Sequence, residues 1–114
     1  MIKSYTVIHY MEDGRDIFQE WLDSLHDLKG RVAIARAEAK LLVGNLGDHK
    51  PCREGVWELR INISSGYRVY YSIAGQEIIL LLCGGSKRTQ QKDINKAVAY
   101  LKKYKEARKW KSDI

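Results

Sequence analysis

The chain has 114 residues, enough for one domain whose core needs neither a metal nor a disulfide to hold it. Twenty Lys and Arg against 14 Asp and Glu give a net charge of +6, which favours a polyanionic partner. No charged-then-apolar signal opens the chain, and the longest apolar run, Ile78 to Cys83, is far too short to cross a bilayer, so a soluble, cytoplasmic protein is expected. Cys52 and Cys83 form no metal-ligand or redox spacing and fit a reducing compartment.

The charge is uneven. Between Lys87 and Lys111 lie ten basic residues against two acids, a net of +8 that leaves −2 on the rest of the chain. A single domain over residues 1–114 is expected, carrying a basic C-terminal helix or tail from about residue 102.

Ser4 to Tyr10 is rich in β-branched and aromatic residues and reads as a strand, closed by a turn at Met11-Glu12-Asp13-Gly14. Asp13 is placed to cap a helix whose apolar residues Ile17, Phe18, Trp21, Leu22 and Leu25 recur at helical spacing. From Asp27 a second helix follows, with Leu28, Val32, Ala35, Ala39, Leu42 and Leu46 as its expected buried stripe and Gly44 and Gly47 near its end. The short link between the two predicts a helical hairpin lying on a sheet, with Lys29, Arg31, Arg36, Glu38 and Lys40 on a solvated face. Residues Gly47 to Gly55 read as a loop, in which Lys50 and Arg53 could touch a ligand.

In Val56 to Ile63 the odd positions Trp57, Leu59, Ile61 and Ile63 are apolar, and Glu58, Arg60 and Asn62 alternate with them. A three-residue loop at Ser64-Ser65-Gly66 would set Ile63 opposite Tyr67, Asn62 opposite Arg68 and Arg60 opposite Tyr70. A second turn at Ala74-Gly75-Gln76 would then set Leu82 beside Arg68. The third run, Ile78 to Cys83, is apolar throughout, as expected of an inner strand covered on both faces. Gly84-Gly85 leads out of it to Ser86, Lys87 and Arg88. Thr89 can cap a last helix with Ile94, Ala97, Val98 and Leu101 as its stripe, and Trp110 near its end is either an anchor or a contact for a partner.

The set Arg60, Asn62, Arg68, Tyr70, Lys87 and Arg88 has the chemistry to hold a phosphate chain: guanidinium groups for bidentate contacts and a ring for a base. The competing reading is a solvated sheet face with ordinary cross-strand pairs. The chain carries no HExxH, no phosphate loop and no GxSxG elbow, so no metal or cofactor is expected. Metal-free RNA cleavage would need the phosphate's charge neutralised, in-line attack by the 2′-hydroxyl, and proton carriers. Asp93, Lys87, Tyr70 and His49 are the candidates for the last.

The stretch WELRINISSGYRVYY followed by LLLCGGSKRTQQKDINKA resembles the RelE/ParE toxin superfamily of type II toxin–antitoxin modules, most closely its HigB-like addiction module killer branch. In element order the resemblance covers the whole chain, and SSGYR and the GGSK run are its most specific parts. It implies a microbial RNase-like α+β fold: a small antiparallel sheet with an N-terminal helical hairpin packed on it and a C-terminal helix. For the RelE and HigB branches it implies cleavage of mRNA in the ribosomal A site. The implied partners are the ribosome, mRNA and a cognate antitoxin, often a helix-turn-helix, HigA-like protein. By position, Arg68 matches the arginine that contacts the scissile phosphate, Arg60 a basic strand position of the active site, and Lys87 or Arg88 the basic residue after the last strand. Two positions depart from the pattern: Glu58 stands where RelE has lysine, and Asp93 or Gln90 lies near the place of a missing tyrosine. The expected site is therefore Arg68, Arg60, Lys87 and Asp93 for catalysis, with Asn62, Tyr70, Arg88, Lys50 and Arg53 for RNA. A ParE-like gyrase inhibitor and a ribosome- or RNA-binding module without catalysis are the alternatives.

Overall fold

The computed structural model describes residues 4–75 and 77–112, with side chains described as far as Arg108. The elements are β1 (Thr6–His9), β2 (Met11–Glu12), β3 (Arg15–Asp16), α1 (Ile17–Ser24), α2 (Leu28–Leu42), β4 (Asp48–Arg53), β5 (Val56–Ile61), β6 (Tyr67–Ala74), β7 (Ile78–Ser86), a single 3-10 turn (Lys87–Thr89) and α3 (Gln90–Ser112). The five-stranded sheet has the order β1-β7-β6-β5-β4, and β2 and β3 form a separate ribbon. Strands β4 to β7 are antiparallel in succession, while β1 lies parallel to β7, with Thr6 opposite Ile78. This is the expected α+β class, with one parallel pairing.

Helices cover both faces. On one face, Phe18, Leu22, Ile34 and Leu41 pack on Leu59, Ile61, Val69, Tyr71, Ile79 and Leu81. On the other, Ile94, Ala97, Val98 and Leu101 of α3 pack on Val56, Tyr70, Leu80 and Leu82. β7 divides its side chains between the two cores, which is why its run is apolar at every position. Among the described residues, no helix is long and apolar enough to cross a membrane.

Four expectations need correction. The first helix is capped by Asp16, whose side chain accepts from Gln19 N at 3.0 Å. Asp13 instead sits with Gly14 in the β2–β3 turn, both at positive φ, as a two-residue hairpin turn of this type requires. In α2 the buried residues are Gly30, Ile34 and Leu41, whereas Leu28, Val32, Ala35, Ala39 and Leu42 are exposed. Alanines spread around this helix support two apolar stripes at helical spacing, and only one meets the sheet.

The segment read as a loop is β4, an edge strand whose polarity and Pro51 suit a position with one unpaired side. Finally, the β5–β6 connection runs from Asn62 to Gly66, with Ser64 and Gly66 at positive φ. Ile61, not Ile63, therefore faces Tyr67, and Arg60 faces Arg68. The slip is two residues, so each side chain keeps its face while its partners change. The C-terminal basic segment from residue 102 continues α3 as helix to Ser112, and the side chain of Trp110 lies outside the described residues.

Candidate functional site

Two cross-strand rows lie on the α3 face. Asp48, Arg60, Arg68 and Gly85 form one across β4 to β7, and Lys50, Glu58, Tyr70 and Cys83 form the next. The first row puts two guanidinium groups on adjacent strands.

Each arginine has its own carboxylate. Arg68 Nη1 donates to Glu58 Oε2 at 2.7 Å, a pair in which the two side chains are only 12% and 1% exposed. Glu58 also receives Gln90 Nε2 at 3.1 Å from the first turn of α3 and lies 3.9 Å from Lys50 Nζ. Arg60 Nη2 donates to Asp48 Oδ1 at 2.9 Å, with side chains 35% and 48% exposed. The Nε atoms of both arginines are buried without a hydrogen-bond partner. A buried donor left unmade costs about 1–3 kcal/mol, so both arginines carry a standing penalty.

Beside this row a cleft of about 270 Å³ opens between β4 and α3, lined by Lys50, Cys52, Arg53, Glu58, Gln90 and Gln91 among others. Burial and the nearby Glu58 push the Cys52 thiol up to about 11, and burial pushes Cys83 to about 12. Neither is a thiolate nucleophile at neutral pH.

The expected residues divide between this row and other places. Arg60, Arg68 and Lys50 come together, and the exposed Lys87 and Arg88 stand in the turn that follows β7. Lys87 N donates to Gly66 O at 3.3 Å, tying that turn to the β5–β6 loop. Asn62 belongs to the loop and reaches Asp48 Oδ2 at 3.5 Å. Arg53 bonds Glu54 and Asn95.

Three residues fall elsewhere. Tyr70 is fully buried under α3, so its ring cannot take a base, and burial, followed by the charges of Glu58 and Asp93, drives its hydroxyl far above the usual phenol range. Asp93 is buried against Gly85, accepts from Thr89 Oγ1 and lines a separate cavity on the β1 side of β7. His49 pairs with Leu59 and therefore faces the α1–α2 side. Gly85, rather than Leu82, is the residue beside Arg68, because the β6–β7 turn sets Ile73 opposite Ile79, two residues beyond the expected partner, and a bulge in β7 adds a third.

Three members of the site carry no plain signal of their role in the sequence. Glu58 reads in the sequence as one polar residue alternating with Arg60 and Asn62 and as a departure from the resemblance, Gln90 as lying near the place of a missing tyrosine, and Asp48 as part of a loop. A lone acid two residues from Arg60 on the polar face of β5, opposite a strand that carries Arg68, is the signal that could have identified Glu58 as a buried counter-ion.

Residues 20–109 match the family model described as "Phage derived protein Gp49-like (DUF891)". An uncharacterized protein of Haemophilus influenzae is 42% identical over 80 residues, which span 70% of this chain and 81% of the relative. The chain belongs to the phage-derived Gp49-like family, a family associated with toxin–antitoxin modules.

Proposed function

We propose that this chain is the toxin of a type II toxin–antitoxin module and acts as a metal-independent, ribosome-dependent mRNA endoribonuclease in the cytoplasm. The observation that carries the reading is the facing of Arg60 and Arg68 on β5 and β6. Each guanidinium is held by its own carboxylate, and an anion bound across the two would take charge-assisted hydrogen bonds from both strands at once. Lys50 on β4 and the exposed Lys87 and Arg88 widen the same positive region for the neighbouring phosphates.

In the reaction, the 2′-oxygen bonds to the adjacent phosphorus as the bond to the 5′-oxygen breaks, leaving a cyclic phosphate and a 5′-hydroxyl. The 2′-hydroxyl gives its proton to a solvent water, and the leaving 5′-oxygen takes one from the exposed Lys87 ammonium. Arg68, immobilised by Glu58, holds the charge that builds on the phosphate, and Arg60, more exposed, closes on it from the next strand. Glu58 orients Arg68 and is too enclosed to shuttle protons. Lys87 is the exposed donor of the set. The partners in this reading are the ribosome, its mRNA and a neutralising antitoxin of the helix-turn-helix, HigA-like kind.

Binding to the ribosome or RNA without cleavage is a second reading, favoured by the burial of Tyr70 beneath α3 and by the placement of Asp93 in a separate cavity. Primer extension on a reporter mRNA after induction tests both. The nuclease reading expects cuts within the coding region that fall about 10²–10³-fold in Arg68→Lys, the loss of one well-aimed phosphate-stabilising contact. Ribosome binding without cuts would establish the second reading. DNA breaks without coding-region cuts would mean gyrase poisoning, as in ParE-like proteins.

A further inference from the structure

β7 is longer than its outer neighbour. β1 pairs with it only from Ile78 to Leu81, and Tyr10 N makes the last bond, to Leu81 O at 2.8 Å. The chain then turns away into the β2–β3 ribbon. Leu82 to Ser86 therefore continues along β6 on one side, with no strand on the other among the described residues. Lys87 N bonds Gly66 O on the β6 side. Counting back along the pleat, Gly84 and Ser86 turn their N–H groups to the open side.

This open edge is recessed. A cavity of about 430 Å³ runs along it, walled on one face by Ile17, Trp21 and Leu25 and on the other by Asp93, Lys96 and Tyr100 of α3, with Cys83 to Ser86 as its floor. Residues from both faces of a sheet can line one cavity only where that cavity wraps the sheet's edge. The glycines keep the walls close, since a Cβ on Gly84 would collide with the Trp21 ring and one on Gly85 with the Asp93 carboxylate. Asp93 accepts from Thr89 Oγ1 through Oδ2 and lines the cavity from the α3 wall.

We propose that this edge binds an extended peptide segment of a partner protein as a sixth strand, in the slot between α1 and α3. Strand addition supplies the bonds that Gly84 and Ser86 lack, and alternate side chains read the two walls. Those turned to α1 are apolar, against Trp21 and Leu25. Those turned to α3 carry hydrogen-bond donors for Asp93. A helix does not suit the slot, because its backbone bonds are internal and its diameter is about 10 Å. Nor does the edge of a second copy, since the helices flanking β7 on each chain would meet before the strands did. The inference does not rest on the nuclease reading, although a toxin's neutralising partner is a natural source of such a segment.

The test pans a phage-displayed library of random dodecapeptides against the full-length protein and measures amide exchange with the selected peptide bound. The expected result is a consensus that alternates apolar and donor residues, with new protection at Gly84 and Ser86. Ser86→Pro removes an edge N–H without touching the β6 ladder and should weaken binding at least tenfold, while Lys29→Ala on α2 should bind as the parent does. Failure to enrich any peptide, protection elsewhere, undiminished binding by Ser86→Pro, or dimerisation through the edge would each overturn the proposal. If Ser86→Pro does not fold, exchange at Gly84 and Ser86 in the parent protein decides alone. Because no arm measures RNA cleavage, failure of the nuclease reading leaves this outcome untouched.

Discussion

Arg60 and Arg68 sit side by side in one row, each on a carboxylate, yet the two pairs differ in kind. Arg68 and Glu58 are enclosed beneath α3, whereas Asp48 and Arg60 stand at the rim, where solvent screens them. In an enclosed pair each charge depends on the other, because neither can return to water alone. A rim pair exchanges freely with water and adds little to stability. The same residue type therefore serves as a fixed anchor at one position and as a movable clamp at its neighbour.

The largest effect that can test this contrast is on folding. Arg68→Ala should lower the unfolding free energy by about 3–5 kcal/mol in urea titration, since it strands the Glu58 charge. Adding Glu58→Gln should restore much of that loss. If the single variant is as stable as the parent, Arg68 is no anchor.

Arg60→Ala should change stability by less than about 1 kcal/mol. Its effect should show in RNA binding instead, with the log–log salt slope reduced by roughly 0.7 for one lost phosphate contact to a single strand. Equal stability losses at the two arginines would erase the distinction.

A third cation–carboxylate cluster sharpens the contrast, because its cation can titrate. His9 Nδ1 lies 2.8 Å from Asp16 Oδ2 and its Nε2 lies 2.6 Å from Glu38 Oε2, which ties β1 to the start of α1 and to α2. Burial pulls the imidazole down, but the hydrogen bonds to Glu38 and Asp16 and their charges outweigh it and hold it above its ordinary 6.5. With the folded value raised, the stabilisation is fully present below the unfolded value and is lost as pH rises through the folded one. The thermal unfolding temperature should therefore fall modestly as pH rises above about 6.5, and His9→Gln should flatten that dependence. A parent protein that is insensitive to pH over this range would mean that the imidazole is not held charged.

The alternation of Trp57, Leu59 and Ile61, and the unbroken apolar run of β7, made the layered α+β fold legible, because burial on one face or on both leaves a periodic mark. The register was not legible. Ser64-Ser65-Gly66 looks like a complete turn, and nothing local states that Asn62 and Ile63 join it. Arg60 and Arg68 could thus be placed on the right face, but their pairing could not be read.

The site was half legible for a related reason. Arg68 and Arg60 stand out by charge, whereas Tyr70 looks like a base-stacking residue until α3 is seen to cover it. Glu58 looks like a surface acid until Gln90 and Arg68 enclose it. Burial by an element distant in sequence leaves no trace in the strand's own pattern. The outer stripe of α2 carries the opposite lesson, since Leu28, Val32 and Leu42 have the spacing of a core and lie in solvent.

The bulge in β7 has a consequence for how the chain tolerates change in length. Tyr70 faces Cys83 and Tyr71 faces Leu81, so Leu82 is an extra residue, and Leu82 and Cys83 point to the same side. Every position from Gly84 onward takes its orientation from that one added residue. Deleting a residue upstream of it could be absorbed by straightening the strand. A deletion at Gly84 or Gly85 has no such reserve: it would turn the remaining glycine away from one of its two walls and rotate Lys87 and Arg88 to the opposite side of the molecule.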